Sequence, residues 1–376
     1  MRYISEYRDP TTVKPLIERI HREADPERVY RFMEFCGGHT HAISRFGLKG
    51  LLPDNIRLIH GPGCPVCVLP IGRIDMAITL ARKSGVILCA YADTLRVPGS
   101  GGFSLNKARA EGAHIEMVYS AMDVLAIAAR HPTKEVVFLA IGFETTTPPT
   151  AHLLLETRSR GISNLSVLSN HVLTIPAMKT VLEDPDPRHG IDGVIGPSHV
   201  SVIIGTIPYH PVAASSRKPI VITGFEPLDV LQAVLMLIRQ VNKGTHIVEN
   251  EYTRAVSEKG NPRALAAINE TFFTRDVFEW RGLGLIPASG LAIADPFSFL
   301  DAERRFELDA PASRDHRACE CASILRGKKA PQDCKVFGTA CTPETPLGAC
   351  MVSSEGACAA EYSYGTRERP KPHAEH

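Results

Sequence analysis

The feature that most constrains this chain is a rhythm. Short apolar runs end in Gly-rich or polar loops, and segments with helical spacing follow. "VYRFMEF" leads into "CGGHTHA", "NIRLIH" into "GPGCPVC" and then "IGRIDMAITLARKSG", and "VILCAYAD" into "TLRVPGSGGFSLNKARAEG". "HIEMVYS" comes before "AMDVLAIAARHP", and "EVVFLAIGFE", "LSVLSN", "GVIGPSHVSVIIG" and "PIVITGFE" carry the pattern on. Parallel strands need a crossover connection between them, so strands alternating with helices predict βαβ units and mostly parallel sheets. A short echo supports repeated units: "FLAIGFETTTPP" and "IVITGFEPLDV" each read as a strand ending in Gly-Phe-Glu, then a Pro, then a helix.

The rhythm divides the chain. Residues 1–25 carry an amphipathic stretch, "VKPLIERIHREA", expected as a helix. The segments 26–131 and 132–244 are expected as two α/β domains, and 245–376, where the rhythm fades, as a mainly helical or irregular C-terminal domain. The last stretch, "TRERPKPHAEH", is polar and expected to fray.

Composition narrows the class. The chain has 376 residues, 44% of them apolar and 22% charged, which suits a globular protein of two or three cores. Its 42 basic and 41 acidic residues leave a net charge of +1, so no electrostatic case exists for nucleic acid or an anionic membrane as the main partner. No apolar run reaches the roughly 18 residues of a membrane span. The start, "MRYISEYRDP", lacks the apolar core of a signal peptide, and the expected location is the cytoplasm. In that compartment ten cysteines point to metal binding or thiol redox chemistry rather than a disulfide framework.

Those cysteines are clustered. They fall at 36, 64, 67 and 89, and then at 319, 321, 334, 341, 350 and 358. In the tail, C-x14-C-x6-C-x16-C picks out Cys319, Cys334, Cys341 and Cys358 and leaves over Cys321 and Cys350. Zinc sites usually pair their ligands in short knuckles. The wide spacing here, among Gly, Pro and Thr, favours an iron–sulfur centre wrapped by backbone N–H groups. Zinc, or plain buried cysteines, remain the competing readings.

Three N-terminal motifs carry further chemistry. "GPGCPVC" sets Cys64 and Cys67 in a C-x-x-C pair beside a predicted helix, whose positive end would favour a thiolate. The surrounding glycines and prolines are expected to hold both sulfurs in a loop. Thiol–disulfide exchange or transient metal capture is the functional reading, and half a zinc knuckle or two buried thiols is the bland one. "EFCGGHTHA" puts Cys36 at a strand's end in a loop, with His39 and His41 nearby: soft and borderline metal ligands, or a nucleophile beside a base. His199 in "IGPSHVS" reads as a loop histidine after a strand, more often structural than functional when taken alone. Cys89 reads as core. "GSGGFS" lacks the Lys-Ser/Thr ending of a phosphate-binding loop.

Taken together, "FCGGHTHAI", "GPGCPVCVLP", "GFETTTP", "GPSHVS", "GFEPLD" and "CTPETPLGACMVSSEGACAA" resemble the HypD-type hydrogenase maturation factors, from residue 35 to 360. The resemblance implies two related parallel-sheet α/β domains and a C-terminal domain holding a [4Fe–4S] cluster on Cys319, Cys334, Cys341 and Cys358. It implies a scaffold that assembles the Fe(CN)2CO group of [NiFe] hydrogenase with a HypC-type chaperone and a HypE-type cyanide donor. Such a protein is an assembly scaffold with redox activity rather than a conventional turnover enzyme. Cys36, Cys64 and Cys67 would then be the working thiols around the iron, with Cys36 its anchor, Cys64 and Cys67 electron donors or a redox switch, and His199 near the metal. The rival classes are a cluster-dependent thiol–disulfide oxidoreductase acting on a protein disulfide, and a structural zinc protein.

Overall fold

A computed structural model describes residues 6–184, 186, 190–309 and 315–365. Nine strands form two parallel sheets: β1 (Tyr30–Glu34), β2 (Ile56–His60), β3 (Val86–Ala90), β4 (Ile115–Met117), β5 (Glu135–Gly142), β6 (Leu165–His171), β7 (Gly193–Gly196), β8 (Ile220–Ile222) and β9 (Val248–Asn250). The first sheet has the order β2-β1-β7-β8-β9 and the second β4-β3-β5-β6, and every pairing in both is parallel. The α/β expectation holds. β6 is buried along its whole length and β5 at all but its first residue. This is why β5 reads as a continuous apolar run without alternation, whereas β6 buries Ser166, Ser169, Asn170 and His171 among its apolar residues.

The sheets do not follow the expected division at residues 131 and 132. The first sheet takes strands from 30–60 and again from 193–250, and the second is built wholly from 86–171. The chain begins one sheet, completes the other, and returns. Local rhythm reveals βα units, but which strands become neighbours is decided by long-range packing, and a crossover connection has a minimum length but no fixed maximum. The echo of Gly-Phe-Glu is distributed accordingly. Gly142 ends β5 in the second sheet, whereas Gly224 follows β8 in the first.

The N-terminal helix, Pro10–Glu23, is capped by Asp9, whose carboxylate accepts from Thr11 N at 2.8 Å. It buries Val13, Leu16 and Ile20 in a core shared with Leu231, Val234 and Ile238 of the helix Pro227–Lys243. It is thus a layer on the first sheet rather than a separate piece. Each such fully buried aliphatic side chain contributes about 2 kcal/mol.

The region after 245 also departs from its expected boundary, since Val248–Asn250 is the edge strand of the first sheet. The helix Pro262–Thr271 packs on the helix Thr147–Ser159 beside the second sheet. Two antiparallel pairs follow, β10 (Phe272–Thr274) with β13 (Leu291–Ile293) and β11 (Val277–Trp280) with β12 (Gly284–Pro287). Among the described residues from Asp295 onward the regular elements are short helical turns, the last being the helix Ala357–Tyr364. "TRERPKPHAEH" lies outside the described residues apart from its context at Gly365. "GSGGFS" has a structural role: Asp75 accepts from Ser100 N at 2.9 Å and from Ser100 Oγ at 2.6 Å, closing the turn.

Candidate functional site

Four adjacent strands of the first sheet, β2-β1-β7-β8, end at one place. Cys36 follows β1, Cys64 and Cys67 follow β2, His199 follows β7 and Phe225 follows β8. Carboxyl ends of parallel strands are where open α/β sheets place their ligand sites, because loops diverge there and leave a crevice.

Cys36 is not in a free loop as expected. It is the N-cap of a helix, Gly37–Arg45, and its N–H donates to Glu34 Oε2 at 3.0 Å. Gly37 N donates to Gly63 O at 2.9 Å, tying the "CGG" turn to the "GPGC" turn. A side chain on Gly63 would collide with the Cys36 backbone, so only glycine permits this approach. Cys36 is 6% exposed. Burial, with the Glu355 and Glu34 carboxylates nearby, pushes its thiol up to about 12. Such a site holds a protonated thiol until a cation displaces the proton.

His199 sits in the first turn of the helix Ser198–Ile204, not in a loop, with Nδ1 3.9 Å from Cys36 Sγ. The ring is exposed and stacks on Phe225, centroids 4.3 Å apart. Desolvation by its neighbours lowers its pKa, keeping it neutral and able to act as a ligand or a proton acceptor. The other two histidines do different work. His39 is buried, its Nε2 donates to Gly224 O at 2.9 Å, and burial lowers it to about 4. It braces the helix Gly37–Arg45 against the end of β8. His41 packs edge-on against Tyr364.

Cys64 and Cys67 are joined as a disulfide. They sit in a four-residue helical turn, Pro65–Val68, that Cys64 caps, its Sγ accepting from Cys67 N at 3.3 Å. Both residues are buried, at 3% and 1% exposure, contrary to the expectation of an open loop. The reason is long-range: the turn Ala349–Met351 packs on Pro65–Val68, and Cys67 Sγ lies 3.1 Å from where a side chain on Gly356 would begin. The C-terminal segment thus folds back over the C-x-x-C pair. Cys89 is wholly buried in the core of the second sheet, as expected.

In the tail, Cys321 lies within hydrogen-bonding range of Cys319, Cys350 and Cys358. Cys341 Sγ accepts from Leu347 N at 3.4 Å, and Cys334 is within hydrogen-bonding range of Glu320. Gly348 faces the first group: a Cβ there would clash with Cys319 Sγ and stand 2.7 Å from Cys321 Sγ. Among the described residues no three or more His, Cys, Asp or Glu side chains are arranged to hold a single metal ion. By chemistry the donor set suits an iron–sulfur cluster: six thiols from several short turns and loops of the tail, backbone N–H groups aimed at sulfur, and a side-chain-free face at Gly348. The Cys319 thiol is lowered to about 7, first by the hydrogen bond with Cys321. For a cluster held there, Gly348→Ala is expected to lose iron and labile sulfide while keeping its α/β core, to be read by iron and sulfide assays alongside circular dichroism.

A buried charged bridge locks the last helix to this site. His60 contacts Glu34 Oε1 through Nδ1 at 3.0 Å and Glu361 Oε1 through Nε2 at 3.2 Å, and Lys49 also pairs with Glu361. Burial alone would raise Glu361, but the His60 hydrogen bond and the Lys49 charge outweigh it and hold the carboxyl at about 2. A carboxyl depressed on folding contributes stability that is complete above its unfolded pKa of 4.5 and is lost as pH falls through 2. Glu361→Gln should unfold about 3 kcal/mol more easily at pH 6, and its urea midpoint should change less than that of the parent protein between pH 5 and 3.

Sequence reasoning missed Glu34, Phe225, Glu355 and Glu361. Only Glu34 left a local signal: a carboxylate in the apolar run "YRFMEF" breaks the pattern of a buried strand. The twin Gly-Phe-Glu motifs also diverge. Glu144 is buried and accepts from Thr174 N and Oγ1, both at 2.8 Å, whereas Glu226 pairs with Arg8 near the surface.

Fold and site define a class: a doubly sheeted α/β protein that gathers buried thiols at strand carboxyl ends, under a cysteine-rich C-terminal segment. A family model described as "Hydrogenase formation hypA family", HypD, matches residues 11–365. Hydrogenase maturation factor HypD2 of Bradyrhizobium diazoefficiens is 58% identical over 369 residues, 97% of each chain. Hydrogenase maturation factor HypD of Cupriavidus necator is also 58% identical over 97% of each chain, and that of Escherichia coli is 46% identical over 98% of this chain and 99% of its own. The chain belongs to the HypD family of hydrogenase maturation factors. Among the described residues no helix is long and apolar enough to cross a membrane.

Proposed function

We propose that this protein is the scaffold on which the Fe(CN)2CO group of [NiFe] hydrogenase is assembled, working with a HypC-type chaperone and a HypE-type cyanide donor. The observation that carries the proposal is the convergence of Cys36, His199 and the Cys64–Cys67 pair at adjacent strand ends. Iron bearing cyanide and CO favours soft thiolate anchoring in a shielded site. As iron enters as cargo, Cys36 Sγ loses its proton to become a ligand, and Glu34 and Glu355 offset the cation's charge. His199 is placed to accept that proton. Reduction of the Cys64–Cys67 bond takes up two electrons and two protons and yields two thiols beside the same site.

Cys319, Cys334, Cys341 and Cys358 would hold a [4Fe–4S] cluster, and such a cluster supplies single electrons when bound. Cys321 and Cys350 lie among the tail thiols, so their variants test the ligand set. Under this assignment, Cys321→Ala and Cys350→Ala keep most of their iron and sulfide.

The rival reading, an oxidoreductase for a protein disulfide, fits less well, because both C-x-x-C cysteines are buried and the tail packs on Cys67, leaving little access for a bulky substrate disulfide. Copurification with a HypC-type partner, followed by infrared spectroscopy, separates the two. Cyanide and CO bands are expected for the scaffold. Their absence, together with reduction of a protein disulfide, would favour the rival.

A further inference from the structure

A polar cavity lies at the outer edge of the first sheet, between the edge strand β2 and the turn 327–333. It encloses about 240 Å³ and is lined by Arg31, Lys49, Arg57, His60, Lys328 and Lys329, with Asp333 the single carboxylate on its wall. The three lysines are occupied from outside: Lys49 by Glu361, Lys328 by Asp186 and Lys329 by Glu320. The two arginines are not. Arg31 and Arg57 are directly opposite each other in the β1–β2 register. Like charges facing across neighbouring strands are destabilising. Neither guanidinium has an ion-pair partner among the described residues, and Arg31 Nε is buried without a hydrogen bond. The pair sits in a chain whose net charge is only +1, so the positive field here is local.

We infer that this cavity binds a phosphate-sized oxyanion between the Arg31 and Arg57 guanidiniums. A tetrahedral anion satisfies the orphaned Nε–H and removes the like-charge opposition. Planar guanidinium forks match phosphate oxygens in pairs, which an ammonium cannot do. A water occupies about 30 Å³ of liquid volume, so the cavity has room for the anion with several waters or a small substituent. The anion is either free phosphate or the phosphate of a small phosphomonoester. The site is separate from Cys36 and stands whether or not the scaffold reading does.

The test is calorimetric titration of the full-length protein with inorganic phosphate and with phenyl phosphate, in a low-chloride buffer. Saturable binding is expected, weakened about tenfold or more in Arg57→Gln, a difference of about 1.4 kcal/mol. Arg57→Lys should restore binding only partly, because it returns the charge without the fork. Arg57 is exposed, so its variants leave the fold intact, and Arg31→Gln provides a second reading. Tighter binding of phosphate assigns the free anion, and tighter binding of phenyl phosphate assigns the ester. Arg217→Gln, in a separate basic cleft, is the control. No saturable binding of either probe, equal binding by Arg57→Gln, or equal loss in the Arg217→Gln control would overturn the site.

Discussion

Cys36→Ala is expected to fold, to retain the iron of the proposed tail cluster and to fail to mature hydrogenase. The residue caps a helix without a side-chain hydrogen bond to it, so no capping interaction is lost. Removing one buried sulfur costs about 1 kcal/mol in transfer and cavity terms, well short of what unfolds a domain of this size. What disappears is the one thiol 3.9 Å from His199, raised to about 12 in a field of buried carboxylates that suits a cation. The measurement is the infrared spectrum of the variant in complex with its HypC-type partner. Full cyanide and CO bands there would remove Cys36 as the iron anchor. Cys36→Ser, which keeps the volume but offers a harder oxygen ligand, should fail in the same way.

Cys334→Ala and Cys341→Ala are expected to lose the proposed cluster. The parent protein is expected to carry about four irons and four labile sulfides, the content of one cubane on four thiolates. Removal of one ligand leaves three buried thiolates without their cation, so the tail also loosens. That loosening spreads, because the same segment covers Cys67 and supplies Glu361 to the His60 bridge. The variants should therefore expose the Cys64–Cys67 pair to thiol reagents after mild reduction. Iron and sulfide analysis decides the ligand set. If Cys334→Ala keeps its full content while Cys321→Ala loses it, the group centred on Cys321, with Cys319, Cys350 and Cys358 around it, is the true set.

Much of this molecule was legible in order along the chain. The βα rhythm identified the strands that carry Cys36, Cys64 and His199, because buried parallel strands read as apolar runs and their loops as Gly- and Pro-rich breaks. Cys89 read correctly as core, since it lies inside such a run. Cys36 and His199 were misplaced only locally. A cysteine or histidine just past a strand reads as loop when the following helix opens with Gly-Gly or is only seven residues long, too short for a clear period.

The sequence by itself determined the fold class, the thiols and their approximate stations at strand ends, because period and residue chemistry are local properties. The tertiary structure alone decided that 30–60 and 193–250 share one sheet, that a segment almost three hundred residues later closes over Cys67, and that Glu34, Glu355 and Glu361 stand around the site. It also decided that Arg31 faces Arg57. The physical reason is the same for each. Strand order, burial and the pairing of charges depend on which distant segments meet, and no local pattern records the partner.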